Sequence, residues 1–277
     1  MIRKKALSGT WAAVLLLVVI PLLSGCGEAM RLQRTTDASL KYDYAKKYYN
    51  KGKYAKASEL LLDVVPAYDG TEEGSRALFL FAESERMQKS YETSSEAYRR
   101  YYTSYPSGAK AEEAHFRCGE ALYSASPEAR LDQTLTYNAI QELTRFIELY
   151  PESTFRKQTE EMLFTLQDKL AYKELLSARL YYNLGMYMGN NYRSAIITAD
   201  NALKDYPYNK HREEFYILLL RAAYKEAINS VDSKLQSRYR EVIDRYFVYV
   251  NEFPEGRYKK EAERIHKQIT GYLDTKQ

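Results

Sequence analysis

The chain has 277 residues, with 41 Lys and Arg against 37 Asp and Glu, a formal charge of +4. It is long enough for a sizeable core, and its charges are too evenly mixed to attract nucleic acid through a basic field. Two cysteines, Cys26 and Cys118, stand against 28 tyrosines.

Arg3, Lys4 and Lys5 precede an apolar run from Trp11 to Leu23. That run is too short to span a bilayer, which takes about 20 residues. It ends in Leu23-Ser24-Gly25-Cys26 and resembles a bacterial lipoprotein signal peptide with its lipobox. The resemblance implies a leader over 1–25, cleavage before Cys26, diacylglycerol on the Cys26 sulfur and usually acylation of the new amino group. Each buried CH₂ of such chains contributes about 0.8 kcal/mol, and two or more chains anchor a protein stably. The alternative is an ordinary secretory signal with an incidental cysteine. Gly27 follows the cysteine, where an Asp would resemble an inner-membrane retention signal. The expected address is therefore the outer membrane, lipid-anchored and facing the periplasm, with 26–37 a lipidated linker. Without the leader the charge falls to near +1. Cys118 then has no cysteine partner and is expected to be a buried small hydrophobe.

From residue 38 onward the chain reads as paired amphipathic helices. The first pair, "YDYAKKYYNKGKYAKASELLLDVV", places Ala45, Tyr48, Gly52, Tyr54, Ala57 and Leu61 where a tetratricopeptide repeat (TPR) takes small, aromatic, turn, aromatic, small and large residues. Later segments end alike: Tyr105-Pro106, Tyr150-Pro151, Tyr206-Pro207 and Phe253-Pro254. Counting back from each proline, positions five, eight, twelve and fifteen repeat mainly apolar or small residues, for example Tyr101, Tyr98, Ser94 and Tyr91. With the aromatic before the proline this is a 3–4–3–4 spacing, one stripe of an α-helix, and a proline just beyond it stops the helix. The aromatic before the proline is expected to pack under the next unit.

The prediction is an all-α, TPR-type helix–turn–helix solenoid of about five repeats, at about 38–66, 72–106, 108–151, 172–207 and 212–254. A C-terminal helix follows from Arg257 to about Leu273. The repeats group as 38–151 and 152–277. The spacing between prolines exceeds a regular TPR, so insertions are expected: loops at Ser124–Gln133 and Ser230–Ser237, and a helical stretch from Thr154 to Met188, in one piece or two.

No catalytic pattern appears. His115, His211 and His266 lie far apart without a second ligand at helical spacing, and are expected to be surface or partly buried polar residues. No Gly-rich phosphate loop or nucleophile elbow is present. The acid pairs Glu72-Glu73, Glu112-Glu113, Glu160-Glu161 and Glu213-Glu214 read as complements to helix dipoles. No enzyme activity, cofactor or metal is expected. A solenoid offers a concave face to peptides, and tyrosines off the core stripe, including Tyr42, Tyr49, Tyr68, Tyr181, Tyr187 and Tyr216, are candidates for exposure.

The segment from Phe146 to Tyr206 carries Asp168-Lys169-Leu170-Ala171, then Glu174, Ala178, Tyr181-Tyr182 and Tyr192. This pattern, with the aromatic–Pro terminators, resembles the BamD family, TPR lipoproteins of the outer-membrane β-barrel assembly machine. The first two repeats match only as generic TPRs, and Thr198 stands where the family pattern has a basic residue facing the barrel-forming subunit. The resemblance implies a scaffold that binds unfolded barrel precursors and the barrel-forming subunit, with other accessory lipoproteins as candidate further partners. Tyr42, Tyr49, Tyr68 and Arg86 are the candidate contacts for precursors, and Arg193, Tyr216 and Arg221 for the subunit. The alternative is another TPR envelope lipoprotein acting as a cell-wall or division scaffold.

Overall fold

The computed structural model describes residue 32 and residues 34–274; the leader-like segment and Cys26 lie outside them. The described residues form eleven α-helices and no strand, as an all-α repeat protein requires. The chain divides into two compact units, one ending at Ser124 and one beginning at Ala125.

In the first unit lie α1 (Ala38–Asn50), α2 (Tyr54–Ala67), α3 (Glu72–Met87), α4 (Tyr91–Ser104) and α5 (Ala111–Ala125), whose last residue falls just past the division. Consecutive helices from α1 to α4 pack against one another. The starts follow from side-chain oxygens: Asp37 accepts the Leu40 N–H at 3.1 Å, and Thr71 the Gly74 N–H at 3.0 Å. Each satisfies a donor that the helix itself leaves open. Gly52 supplies the positive φ (+70°) that closes the α1–α2 turn. The TPR-type positions Ala45, Ala57 and Leu61 are fully buried.

The second unit holds α6 (Thr134–Leu149), α7 (Arg156–Leu184), α8 (Asn191–Asp205), α9 (Arg212–Ile228), α10 (Asp232–Glu252) and α11 (Lys259–Asp274). Each packs on the next, and α7–α9 and α9–α11 also touch, as in stacked helix pairs. The insertion expected from Thr154 to Met188 is one helix of 29 residues. The loop expected over Ser230–Ser237 is not there: α10 begins at Asp232, and polar residues that read as a loop are its exposed first turns. Glu160 and Glu161 fall in the second turn of α7 and not the first, so the dipole argument does not reach them.

The proline-aligned stripe is the core. Tyr98, Leu143 and Ala199 are buried, as are Ser94, Ala139, Ala195 and Val242, and Tyr101, Phe146, Ala202 and Tyr249. In the second unit Ala171 and Ala178 of α7 share one apolar cluster with Ala195, Ala199 and Ala202 of α8. Alanine at these positions lets two helix backbones approach closely. Leucine at Ala195 should therefore overpack the cluster and cost about 1–3 kcal/mol, whereas Lys157→Ala, at an exposed site, should leave the thermal midpoint nearly unchanged. Equal midpoints for the two variants would refute this register.

Two of the aromatics before the prolines, Tyr105 and Phe253, make contacts that run backwards. Tyr105 accepts the Gly70 N–H through its hydroxyl at 3.0 Å, ahead of α3, and Phe253 packs edge-on against Tyr216 of α9 at 5.5 Å. Each leans back on the first helix of its own repeat. The residue that reaches forward sits four positions earlier. The Tyr249 hydroxyl donates to Glu213 Oε1 at 2.9 Å and accepts the Tyr258 N–H at 3.0 Å, just before α11. Room for that hydroxyl comes from Gly256, where a Cβ would stand 2.6 Å from it. Gly108 stands in the same relation to Tyr101, at 3.0 Å. The two repeats whose corresponding residue is Phe146 or Ala202, neither with a hydroxyl, have Ser153 and Asn209 in place of the glycine.

His115 departs from expectation: it is 1% exposed and stacked on Tyr102 at 4.2 Å. His266 stacks similarly on Tyr246 at 4.1 Å. Cys118 is buried in α5, as a small hydrophobe would be.

Candidate partner-binding faces

In the first unit, three helices converge on one carboxylate. Glu83 on α3 is bound by Arg86 one turn later, through Nη2 at 2.7 Å and Nε at 3.2 Å. Tyr49 of α1 donates its hydroxyl to Oε2 at 3.4 Å, and Tyr98 of α4 donates to Oε1. Burial alone would raise the Glu83 pKa, but the hydrogen bonds from Arg86 and Tyr98 outweigh it and hold the carboxyl below its usual range. Burial and the same anion push the Tyr98 phenol well up. Arg117 of α5 adds a second cation to this face and pairs with Glu120 at 2.6 Å.

Two sequence candidates, Tyr49 and Arg86, are thus brought together by Glu83, a residue the repeat pattern does not single out. Tyr42 lies on α1 with Lys46 Nζ 4.5 Å above its ring. Tyr68 ends α2, where its carbonyl accepts the Thr71 hydroxyl at 2.7 Å. All three tyrosines are half-buried rather than exposed. Elsewhere in this unit α2, α3 and α4 line an apolar cavity of about 300 Å³, walled by Leu61, Leu62, Val65, Leu78 and Phe81, with Arg100 at its rim.

The basic candidates of the second unit hold helices together. Arg193 on α8 forks onto Glu241 of α10 at 3.1 and 2.8 Å and reaches Glu226 of α9 at 3.0 Å. Arg245 of α10 returns the link to Asp200 of α8 with two bonds of 2.6 Å. Glu226 is 2% exposed and is also met by Arg238 at 3.0 Å and by Asn190 at 2.6 Å. Arg221 of α9 forks onto Glu261 of α11 at 2.8 and 2.5 Å. The Arg221 hydrogen bonds lower the Glu261 pKa against the opposing effect of burial. Tyr216 is half-buried under Phe253 and Arg212. Bidentate pairs of this kind fix both distance and orientation, so Arg193 and Arg221 act first as ties between stacked repeats. Between α7 and α9 a cavity of about 210 Å³ opens, walled by Tyr182, Ile217, Leu218 and Tyr258 and edged by Arg179 and Arg221.

The motif around Asp168 has a physical reading as well. Asp168 Oδ1 accepts the Lys210 N–H at 2.7 Å, fastening the turn before α9 to α7. Ala171 is fully buried, and Tyr182 meets Tyr192 edge-on at 5.8 Å. The pattern joins the long helix to the repeat that follows it.

Among the described residues no group of His, Cys, Asp and Glu is arranged to hold a metal ion, and no helix is long and apolar enough to cross a membrane. Stacked helix pairs with polar and aromatic faces define a helical-repeat protein. Residues 34–189 match the YfiO family, described as outer membrane lipoprotein, and the chain belongs to that family. No curated protein matches the sequence.

Proposed function

We propose that this lipoprotein is a BamD-type scaffold of outer-membrane β-barrel assembly, holding barrel precursors on its first unit and the barrel-forming subunit on its second. The observation that supports this most is the family match over 34–189, which takes in the Asp168–Ala171 motif and the whole of the helix that carries it. The first unit offers an extended segment what it needs: the apolar cavity beside Arg100, and the Tyr49–Glu83–Arg86 cluster with Arg117 nearby. Aromatic side chains give contact area at low entropy cost, and arginines pair with carboxylates. In the second unit Tyr216, with the Arg221–Glu261 pair beside the smaller cavity, is the candidate surface for the subunit. The work done is binding and positioning. The membrane contact is the lipid anchor on Cys26.

The full-length protein carrying one photoreactive residue at Tyr42, Tyr68 or Tyr216 tests this. Crosslinks to a precursor's C-terminal strand peptide are expected from Tyr42 and Tyr68, and to the barrel-forming subunit from Tyr216. Absence of both, with crosslinks to cell-wall material instead, would favour an envelope scaffold of another kind.

A further inference from the structure

One edge of the second unit is apolar where it meets solvent. The turn between α7 and α8 exposes Met186, Tyr187 and Met188 by 50%, 68% and 90%. Leu184 before it, and Ile228 and Val231 at the neighbouring α9–α10 turn, are exposed too. The two turns lie side by side, because Asn190 at the start of α8 donates to Glu226 near the end of α9. Scattered exposed hydrophobes need no explanation, but a contiguous patch marks a contact surface.

The backbone adds a second observation. Gly185, Met188 and Gly189 all have positive φ, at +57°, +53° and +142°. Glycine takes such angles freely, but a methionine in the left-handed region costs about 1 kcal/mol. The fold bears this cost at the one residue of the loop that touches the protein least. Just behind the tip, Asn190 opens a polar cavity of about 530 Å³ whose cations, Arg193, Lys234 and Arg238, outnumber its carboxylates, Glu226 and Glu241. Both arginines are committed to those carboxylates, while Lys234 is exposed.

We propose that this edge enters the headgroup layer of a phospholipid membrane, with Met186, Tyr187 and Met188 reaching the first acyl carbons and Lys234 facing anionic phosphate. The tip is convex and only a few side chains wide. A stable protein interface needs about 800 Å² per partner and a complementary shape, whereas a bilayer receives a small apolar protrusion without either. Tyrosine suits the boundary, with an apolar ring and a polar end. Membership of an outer membrane lipoprotein family keeps the chain close to a bilayer, where a second weak attachment gains from high effective concentration.

The test uses the full-length lipidated protein in phosphatidylethanolamine–phosphatidylglycerol vesicles. The sole tryptophan of the sequence is Trp11, in the leader-like segment that the lipoprotein reading removes before Cys26, so Tyr187→Trp gives the lipidated protein a single reporter. The control is Tyr208→Trp, at a site 84% exposed past the far end of α8, a 15-residue helix about 22 Å long. Lipids brominated near the headgroup should quench the reporter of the Tyr187→Trp protein about twofold, at the depth of 5–10 Å where interfacial segments lie. The reporter of the Tyr208→Trp protein should be unchanged. Adding Met186→Asp and Met188→Asp should abolish the quenching without lowering the thermal midpoint. No quenching in Tyr187→Trp, equal quenching in the two proteins, or a blue shift only when another membrane protein is added would each overturn the proposal. The palmitate label on Cys26, lost in Cys26→Ser, reports the anchor separately, so its failure and the failure of the tip are distinguishable.

Discussion

Glu226→Ala is expected to lower the unfolding free energy by about 3 kcal/mol, read as a shift of the urea midpoint at unchanged slope. Breaking one partner of a buried ion pair typically costs about 3–5 kcal/mol, because the charges left behind have lost their water. Here one carboxylate at 2% exposure receives Arg193, Arg238 and Asn190 from α8 and α10. The lower end of the range applies because Arg193 retains Glu241. Against a domain stability of about 5–15 kcal/mol, the loss is large. Arg193→Ala should cost less, since its side chain is 38% exposed and Glu226 keeps Arg238. A larger loss for Arg193→Ala than for Glu226→Ala would disprove this account of the three-helix junction.

Gly74→Ala should cost about 3 kcal/mol, at the upper end for overpacking. In most helices that exchange gains up to about 1 kcal/mol, because glycine is the poorer helix former. The sign reverses here because a Cβ on Gly74 would lie 2.0 Å from the Tyr68 carbonyl oxygen and 2.7 Å from its carbon. These are backbone atoms, and the Tyr68 carbonyl is already held by the Thr71 hydroxyl and N–H, so the stretch of chain linking α2 to α3 has no easy retreat. Gly70→Ala is the comparison. Its φ of +77° strains any side chain, but nothing lies within 4 Å, so its cost should be near 1 kcal/mol. Circular dichroism melts of the two variants should separate by several degrees, and the reverse order would refute the clash.

Helix identity and core register were legible in the sequence because both follow from local spacing. The proline stop fixes the last turn of each second helix, and positions such as Ala139, Ala195 and Val242 follow at 3.6 residues per turn. The roles of the arginines were not legible. The partners of Arg193 lie 33 and 48 positions away, and that of Arg221 lies 40 away. Such distances depend on how repeats of unequal length stack, which no periodicity records. Glu83 and Glu226 escaped notice for the same reason: a carboxylate within an amphipathic helix reads as a solvated face until the helix opposite is in place. The Ser230–Ser237 segment failed differently. Its polar residues are the exposed side of the first turns of α10, around the one apolar residue there, Leu235, that packs on the core.

The pairing of Tyr101 with Gly108 and of Tyr249 with Gly256 makes these repeats exchangeable only as matched cassettes. A chimera that grafts the Pro151-Glu152-Ser153 corner behind the helix that carries Tyr249 would bring a side chain into the space of the phenol, although every local helix and turn preference was satisfied. A graft carrying Phe146 together with Ser153 keeps the joint intact. Shuffling libraries built from this chain should therefore place their crossover points within the first helix of a repeat, away from the proline corner, so that donor hydroxyl and empty glycine always travel on one fragment.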